Sequence, residues 1–126
     1  MPHRVLVVED DLEIRETLVE VLEDFGVHAL SACNGQEALE TLRDATRRPC
    51  LILLDLMMPV MDGRAFREAQ LKYPELREIP VVLLSAYADL EAISVKMGVK
   101  RVIHKPLRLH DLRSSVEEFC GPLAQA

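Results

Sequence analysis

Six side chains in this sequence could do chemistry together. Glu9, Asp10 and Asp11 are consecutive carboxylates, and Asp55 is a fourth acid directly after a run of apolar residues. Ser85 and Lys105 each stand at the end of a further apolar run. Carboxylates that cluster cannot all stay ionised without a cation beside them. Hard divalent ions such as Mg²⁺ accept a few oxygen ligands from protein. A cation held by Asp10 and Asp55, with Glu9 behind it, would bring a phosphate oxygen next to Asp55. An aspartate can attack phosphorus and form an acyl phosphate. The metal and Lys105 would neutralise the charge developing on the transferred group, and the Ser85 hydroxyl would donate to it. Each residue also has a plain reading. Asp55 would start a turn, Ser85 would cap a helix, Lys105 would be one lysine among many, and the acids would form a solvated turn.

The elements around these residues decide whether they can meet. Leu51-Ile52-Leu53-Leu54 runs straight into Asp55, and Met58-Pro59 and Met61-Asp62-Gly63 follow at once. A short continuous apolar run bounded by turn residues is the pattern of a strand buried on both faces. Such strands belong to parallel sheets covered by helices on each side. The same pattern marks strands at 4–8, more weakly at 27–32, at 81–84 and at 101–104. Helical spacing links Ile14, Leu18, Val21, Leu22 and Phe25, with Gly26 as the stop. It continues at 36–44 (Ala38, Leu39, Leu42), 64–73 (Phe66, Ala69, Tyr73), 90–97 (Leu90, Ile93, Met97) and 109–119 (Leu109, Leu112, Val116, Phe119). Five strand–helix pairs in strict alternation predict one doubly wound α/β domain with a parallel sheet and helices on both faces. In such a sheet the carboxyl ends of the strands share one edge, where ligands bind. Glu9 and Asp10, Asp55, Ser85 and Lys105 all fall there.

Composition narrows the function classes. The chain has 126 residues with a net charge of −6, and 49% of them are hydrophobic. That suits one domain, 1–126, with a core over about 4–120 and a short tail at 121–126. An acidic surface disfavours direct nucleic-acid binding, and an aromatic content of 4% disfavours base stacking. No apolar run is long enough to insert in a membrane, and the start has no signal-peptide core. Cys33, Cys50 and Cys120 are widely separated and odd in number. They are expected to be reduced, small, buried hydrophobes in a cytoplasmic protein.

Taken together, Val7-Val8-Glu9-Asp10-Asp11, Asp55 with Met58-Pro59 and Met61-Asp62-Gly63, Ser85-Ala86 and Lys105-Pro106 resemble the receiver domain of two-component response regulators, the chemotaxis-regulator-like, flavodoxin-like fold. The resemblance covers Arg4 to about Phe119. It implies the strand order 2-1-3-4-5. Asp55 would be the phosphoacceptor, and Mg²⁺ (or Mn²⁺) would be bound by Asp10, Asp55 and the Met57 backbone carbonyl, with Glu9 helping through water. Ser85 would be the switch hydroxyl, Lys105 would pair with a phosphoryl oxygen, and Lys105-Pro106 would be cis. A sensor histidine kinase or a histidine phosphotransfer protein would be the donor in a phosphorelay. A downstream protein would be the target, with the chain a monomer or a phosphorylation-linked dimer. Chemistry beyond self-phosphorylation from small donors and self-dephosphorylation is not implied, so the chain is not expected to be an enzyme.

Three features depart from the family pattern. Val102 stands where the family usually has a Tyr or Phe that moves with the switch hydroxyl. The Ser85–Lys105 interval is about two residues short, with the shortage between Ser85 and Gly98, so the fourth helix or its leading loop should be truncated or shifted. Met57 and Tyr87, two residues beyond Asp55 and Ser85, are bulky and carry no group to orient water, so self-dephosphorylation should be slow. Two other functions remain open. A phosphorylation-independent adaptor would keep the fold alone. A metal-dependent aspartyl-phosphate phosphatase is disfavoured because Met57 stands where the acid/base Asp would be, and because no cap domain encloses a substrate.

Overall fold

The computed structural model describes residues 3–44, 46, 48–86 and 90–123. Strands β1 (Arg4–Val8), β2 (His28–Ala32), β3 (Leu51–Asp55), β4 (Val81–Ser85) and β5 (Arg101–His104) alternate with helices α1 (Leu12–Asp24), α2 (Gly35–Arg43), α3 (Gly63–Lys72), α4 (Leu90–Met97) and α5 (Leu109–Cys120). The sheet has five strands in the order β2-β1-β3-β4-β5, and every pairing is parallel. The strand order reverses direction between β1 and β3, so the loops after these two strands diverge and leave a crevice at their carboxyl ends.

Side chains alternate across the strands with a period of two and feed two cores. Leu6, Val8, Ile52, Leu54, Val81 and Leu83 face α2, α3 and α4, where Leu39, Phe66 and Leu90 close the layer. Val5, Val7, Leu51, Leu53, Val82 and Leu84 face α1 and α5, meeting Leu18, Leu22, Leu112 and Val116. This double coverage explains the continuous apolar runs. A strand sandwiched between helices has no wet face, so no polar alternation appears.

The helices start where short polar side chains can take the first free amides. Asp11, Asn34 and Asp62 accept from the backbone N–H groups of Ile14, Glu37 and Ala65. α4 ends at Gly98, which takes φ +69, with the Val99 amide donating to Ser94 and the Gly98 amide to Val95. Those two bonds form a Schellman cap.

Several sequence expectations need correction. Helical spacing groups Tyr73 and Leu109 with the apolar stripes of their helices, yet they are 43% and 64% exposed. Tyr73 lies just past α3 and Leu109 opens α5, so neither lies in the middle of its helix, where the apolar stripe packs. The cysteines were expected to be reduced. Cys50 and Cys120 instead form a disulfide, and Cys33 is the free cysteine. Seventy residues separate the pair in sequence, but β3 begins and α5 ends at the same edge of the sheet. α4 spans eight residues. The expectation of a shortened segment before it falls partly on residues 87–89, outside the described residues, as does the reading of Tyr87.

Candidate metal and phosphoryl site

The carboxyl ends of β1, β3, β4 and β5 open onto one hollow of about 500 Å³. β1 delivers Glu9 and Asp10, β3 ends in Asp55, β4 ends in Ser85, and β5 leads into Lys105. Residues up to 96 positions apart thus share one cluster. Glu9, Asp55 and Ser85 are 1%, 4% and 4% exposed, while Asp10 stands in solvent at the rim. One carboxylate oxygen from each of Glu9, Asp10 and Asp55 lies within 4.8 Å of the others.

Lys105 is the cation that offsets two of these charges. Its Nζ lies 2.6 Å from Glu9 Oε1 and 3.3 Å from Asp55 Oδ1. Burial works against the Lys105 charge. The hydrogen bond to Glu9 and the fields of Asp55 and Glu9 outweigh that and raise its pKa. Asp55 is left under-compensated. Burial, and then repulsion from Glu9, push its carboxyl up to about 7 despite Lys105. A donor set of hard, closely spaced carboxylate oxygens, one of them destabilised as an anion, fits a divalent cation.

Backbone features hold Asp55 in place. The Leu56 amide donates to Leu84, and the Gly63 amide donates to Leu56. A Cβ on Gly63 would stand 2.7 Å from the Asp55 carbonyl oxygen, so only glycine lets α3 start this close to the strand end. Between them, Val60 takes φ 68 and is 85% exposed, and the Met61 amide donates to Pro59 at 2.8 Å. That bond closes a γ-turn about a β-branched residue, a strained arrangement at the rim of the hollow. The Lys105 amide donates to Ser85, tying the last two strand ends together, and Lys105-Pro106 is cis.

The structure brings together every site residue expected from sequence: Glu9, Asp10, Asp55, Met57, Ser85 and Lys105 all line the hollow. Met57 is 56% exposed. Asp11 is committed to capping α1, and its amide donates to Glu9 Oε2 at 3.2 Å. Sequence reading missed Arg15, whose guanidinium donates to the Glu9 carbonyl at 2.8 Å and the Asp10 carbonyl at 3.4 Å. Its only signal was a basic residue one helical turn into α1, which is common on surfaces. Val102 is half-buried in β5, opposite Leu83, and packs on the α2–α3–α4 core as an ordinary β-branched strand residue.

Comparison with known proteins gives the family. Residues 5–117 match the response regulator receiver domain, and the chain belongs to that family. It is therefore a receiver domain of the two-component response regulators. Sporulation initiation phosphotransferase F of Bacillus subtilis is 31% identical over 121 residues, covering 94% of both chains. The polar-differentiation response regulator DivK of Brucella anthropi is 31% identical over 124 residues, covering 96% of this chain and 98% of its own. The sensor histidine kinase TmoS of Ectopseudomonas mendocina is 37% identical over 92% of this chain, which spans only 12% of that longer protein. Among solved structures, the chemotaxis response regulator CheY4 of Vibrio cholerae superposes with a TM-score of 0.85 at 26% identity. That match covers 94% of this chain and 99% of CheY4. No helix among the described residues is long and apolar enough to cross a membrane.

Proposed function

We propose that this chain is a single receiver domain over 1–126 that acts as a phosphorylation switch, with Asp55 as the phosphoacceptor. The observation that carries the reading is the Asp55 carboxylate at the end of β3, buried between Glu9 and Lys105 and 3.3 Å from the Lys105 ammonium. A sensor histidine kinase or a histidine phosphotransfer protein supplies the phosphoryl group. Similarity to a sporulation initiation phosphotransferase and to the sensor histidine kinase TmoS supports that class of partner. Glu9, Asp10, Asp55 and the Met57 carbonyl are the residues that would hold Mg²⁺, with Mn²⁺ as a substitute. The ion would supply positive charge at the developing phosphoryl oxygens.

The protein's own groups do the rest. Asp55 Oδ attacks phosphorus as the P–N bond of the donor's phosphohistidine breaks, and the released imidazole takes a proton from solvent. Lys105 Nζ, already between Glu9 and Asp55, stays protonated and offers its charge to the transferred oxygens. Ser85 donates its hydroxyl to the attached group. The new charge then biases the domain toward an active conformer that a downstream protein reads in the cytoplasm. Turnover on any other substrate is no part of this role. Incubation with Mg²⁺ and a small acyl-phosphate donor tests it by intact mass. One added phosphoryl group is expected in the wild type, and none in Asp55→Asn or without Mg²⁺. An unmodified wild type, with a kinase donor as well as the small one, would favour a phosphorylation-independent adaptor. Val102 gives that second reading its support, since a valine lacks the ring that usually relays the switch.

A further inference from the structure

Cys50 and Cys120 lie at the edge of the sheet opposite the acidic hollow. Cys50 directly precedes β3, whose other end is Asp55 five residues on, about 16 Å away along an extended strand. Cys120 is the last residue of α5, whose first residue follows Lys105 by four positions. β3 is therefore tied at one edge to the residue that follows β5 and at the other to the end of α5. At one edge, Lys105 reaches Asp55 Oδ1 at 3.3 Å; at the other, the two cysteines are bonded with a Cα–Cα distance of 5.4 Å. That spacing is within the usual range for a disulfide and needs no backbone displacement. Both residues are half-buried rather than sealed in the core they pack against. The reduced state is also provided for. Cys50 Sγ lies 3.2 Å from the Arg4 carbonyl oxygen, an acceptor ready for its S–H once the bond opens.

We propose that Cys50 and Cys120 form a reversible thiol–disulfide site that fastens the C-terminal end of α5 to the start of β3. The co-reactant is a low-molecular-weight thiol/disulfide couple. In oxidation, the Cys50 or Cys120 thiolate attacks a small disulfide and releases one small thiol. The second protein thiolate then displaces the other small thiol from the mixed disulfide. Two protein thiols lose two electrons and two protons, and one small disulfide becomes two small thiols. Reduction runs the same exchange backwards. Cys33 takes no part. It lies beyond β2, and its thiol donates to Glu37 at 3.1 Å. That bond, with burial next, raises its pKa and lowers its reactivity.

The site is tested on the full chain in glutathione buffers of graded redox ratio, with acid quenching, alkylation in denaturant and peptide mapping. One alkylated cysteine, Cys33, is expected at oxidising ratios, and all three at reducing ones. Reduction should lower the melting temperature by roughly 10 °C, because the bond closes a loop of 70 residues. It should also speed amide exchange in the last turn of α5 at least about tenfold. Cys120→Ser and Cys50→Ala should behave like the reduced wild type and ignore a dithiol reductant. Three alkylated cysteines at every ratio would overturn the proposal, as would a bond to Cys33, or melting and exchange that do not change with redox state. None of these readouts involves phosphate, so the result is independent of the acceptor chemistry.

Discussion

Asp55 is an acid held in unfavourable surroundings. Its carboxyl sits at about 7 because burial and the Glu9 charge outweigh Lys105. The native carboxyl therefore holds its proton to higher pH than the unfolded one, which releases it near 3.9. Stability from this group is fully present below about pH 4 and is lost as the pH rises through 7. In metal-free buffer, Asp55→Asn should remove that loss and stabilise the fold at pH 8 by on the order of 2 kcal/mol. Thermal melts at pH 5 and 8, with and without Mg²⁺, check this. The wild type should melt lower at pH 8 without the ion and recover with it. A metal-free wild type as stable at pH 8 as Asp55→Asn would contradict the charge crowding. Met57 governs a different quantity. It is exposed beside Asp55 and has no group to orient a water. Met57→Asn should shorten the phosphoryl lifetime by about tenfold, equivalent to 1.4 kcal/mol off the barrier. Time courses of dephosphorylation measure it, and an unchanged or longer lifetime would remove Met57 from the water path.

Among the elements, α4 is held by an arrangement that its own sequence does not announce. Arg67 of α3, 9% exposed, donates from Nε to the Met97 carbonyl and from Nη2 to the Gly98 carbonyl, the free acceptors at the end of α4. Its Nη1 donates to Gln70 Oε1 at 2.7 Å, and the Gln70 amide donates in turn to the Leu76 and Ile79 carbonyls just before β4. Burial lowers the Arg67 pKa. The cation is satisfied by carbonyls and by Gln70, and no ion pair to it is found among the described residues. Arg67 and Gln70 together therefore tie the end of α4 to the approach to β4, the strand that carries Ser85. Arg67→Met keeps most of the volume but leaves those acceptors unmatched. It should cost about 2–4 kcal/mol in urea unfolding. A loss under about 0.5 kcal/mol would show that water replaces the guanidinium without cost. Helical periodicity did not reveal this network, since it follows apolar positions and Arg67 and Gln70 are polar. Their burial depends on where α4 and the α3–β4 connection fold back, which is a tertiary fact. Leu109 failed for the opposite reason. Its spacing is right, but it belongs to the first turn of α5, where the stripe has not yet met the sheet.

At the scale of the whole molecule, the sequence disclosed whatever depends on local pattern. Strands buried on both faces betray themselves as unbroken apolar runs, and β1 and β5 fall at the residues expected. Strict alternation with amphipathic helices then forces a parallel sheet and gathers Glu9, Asp55, Ser85 and Lys105 on one edge. The strand order came from the resemblance, because periodicity does not say which strand neighbours which. Long-range partners stayed hidden. The Cys50–Cys120 bond spans 70 residues, and Lys105 approaches Glu9 more closely than Asp55. Spacing in one dimension carries neither fact.

Whether the end of β3 accepts the phosphoryl group is decided by peptide-level localisation. The wild type would be phosphorylated briefly with Mg²⁺ and an acyl-phosphate donor, digested, and the peptide containing 51–63 sequenced by mass spectrometry. A phosphoryl group on Asp55, absent when EDTA replaces Mg²⁺, is the expected result. A phosphoryl group on any other residue, or none with either a small donor or a histidine kinase, would contradict the account.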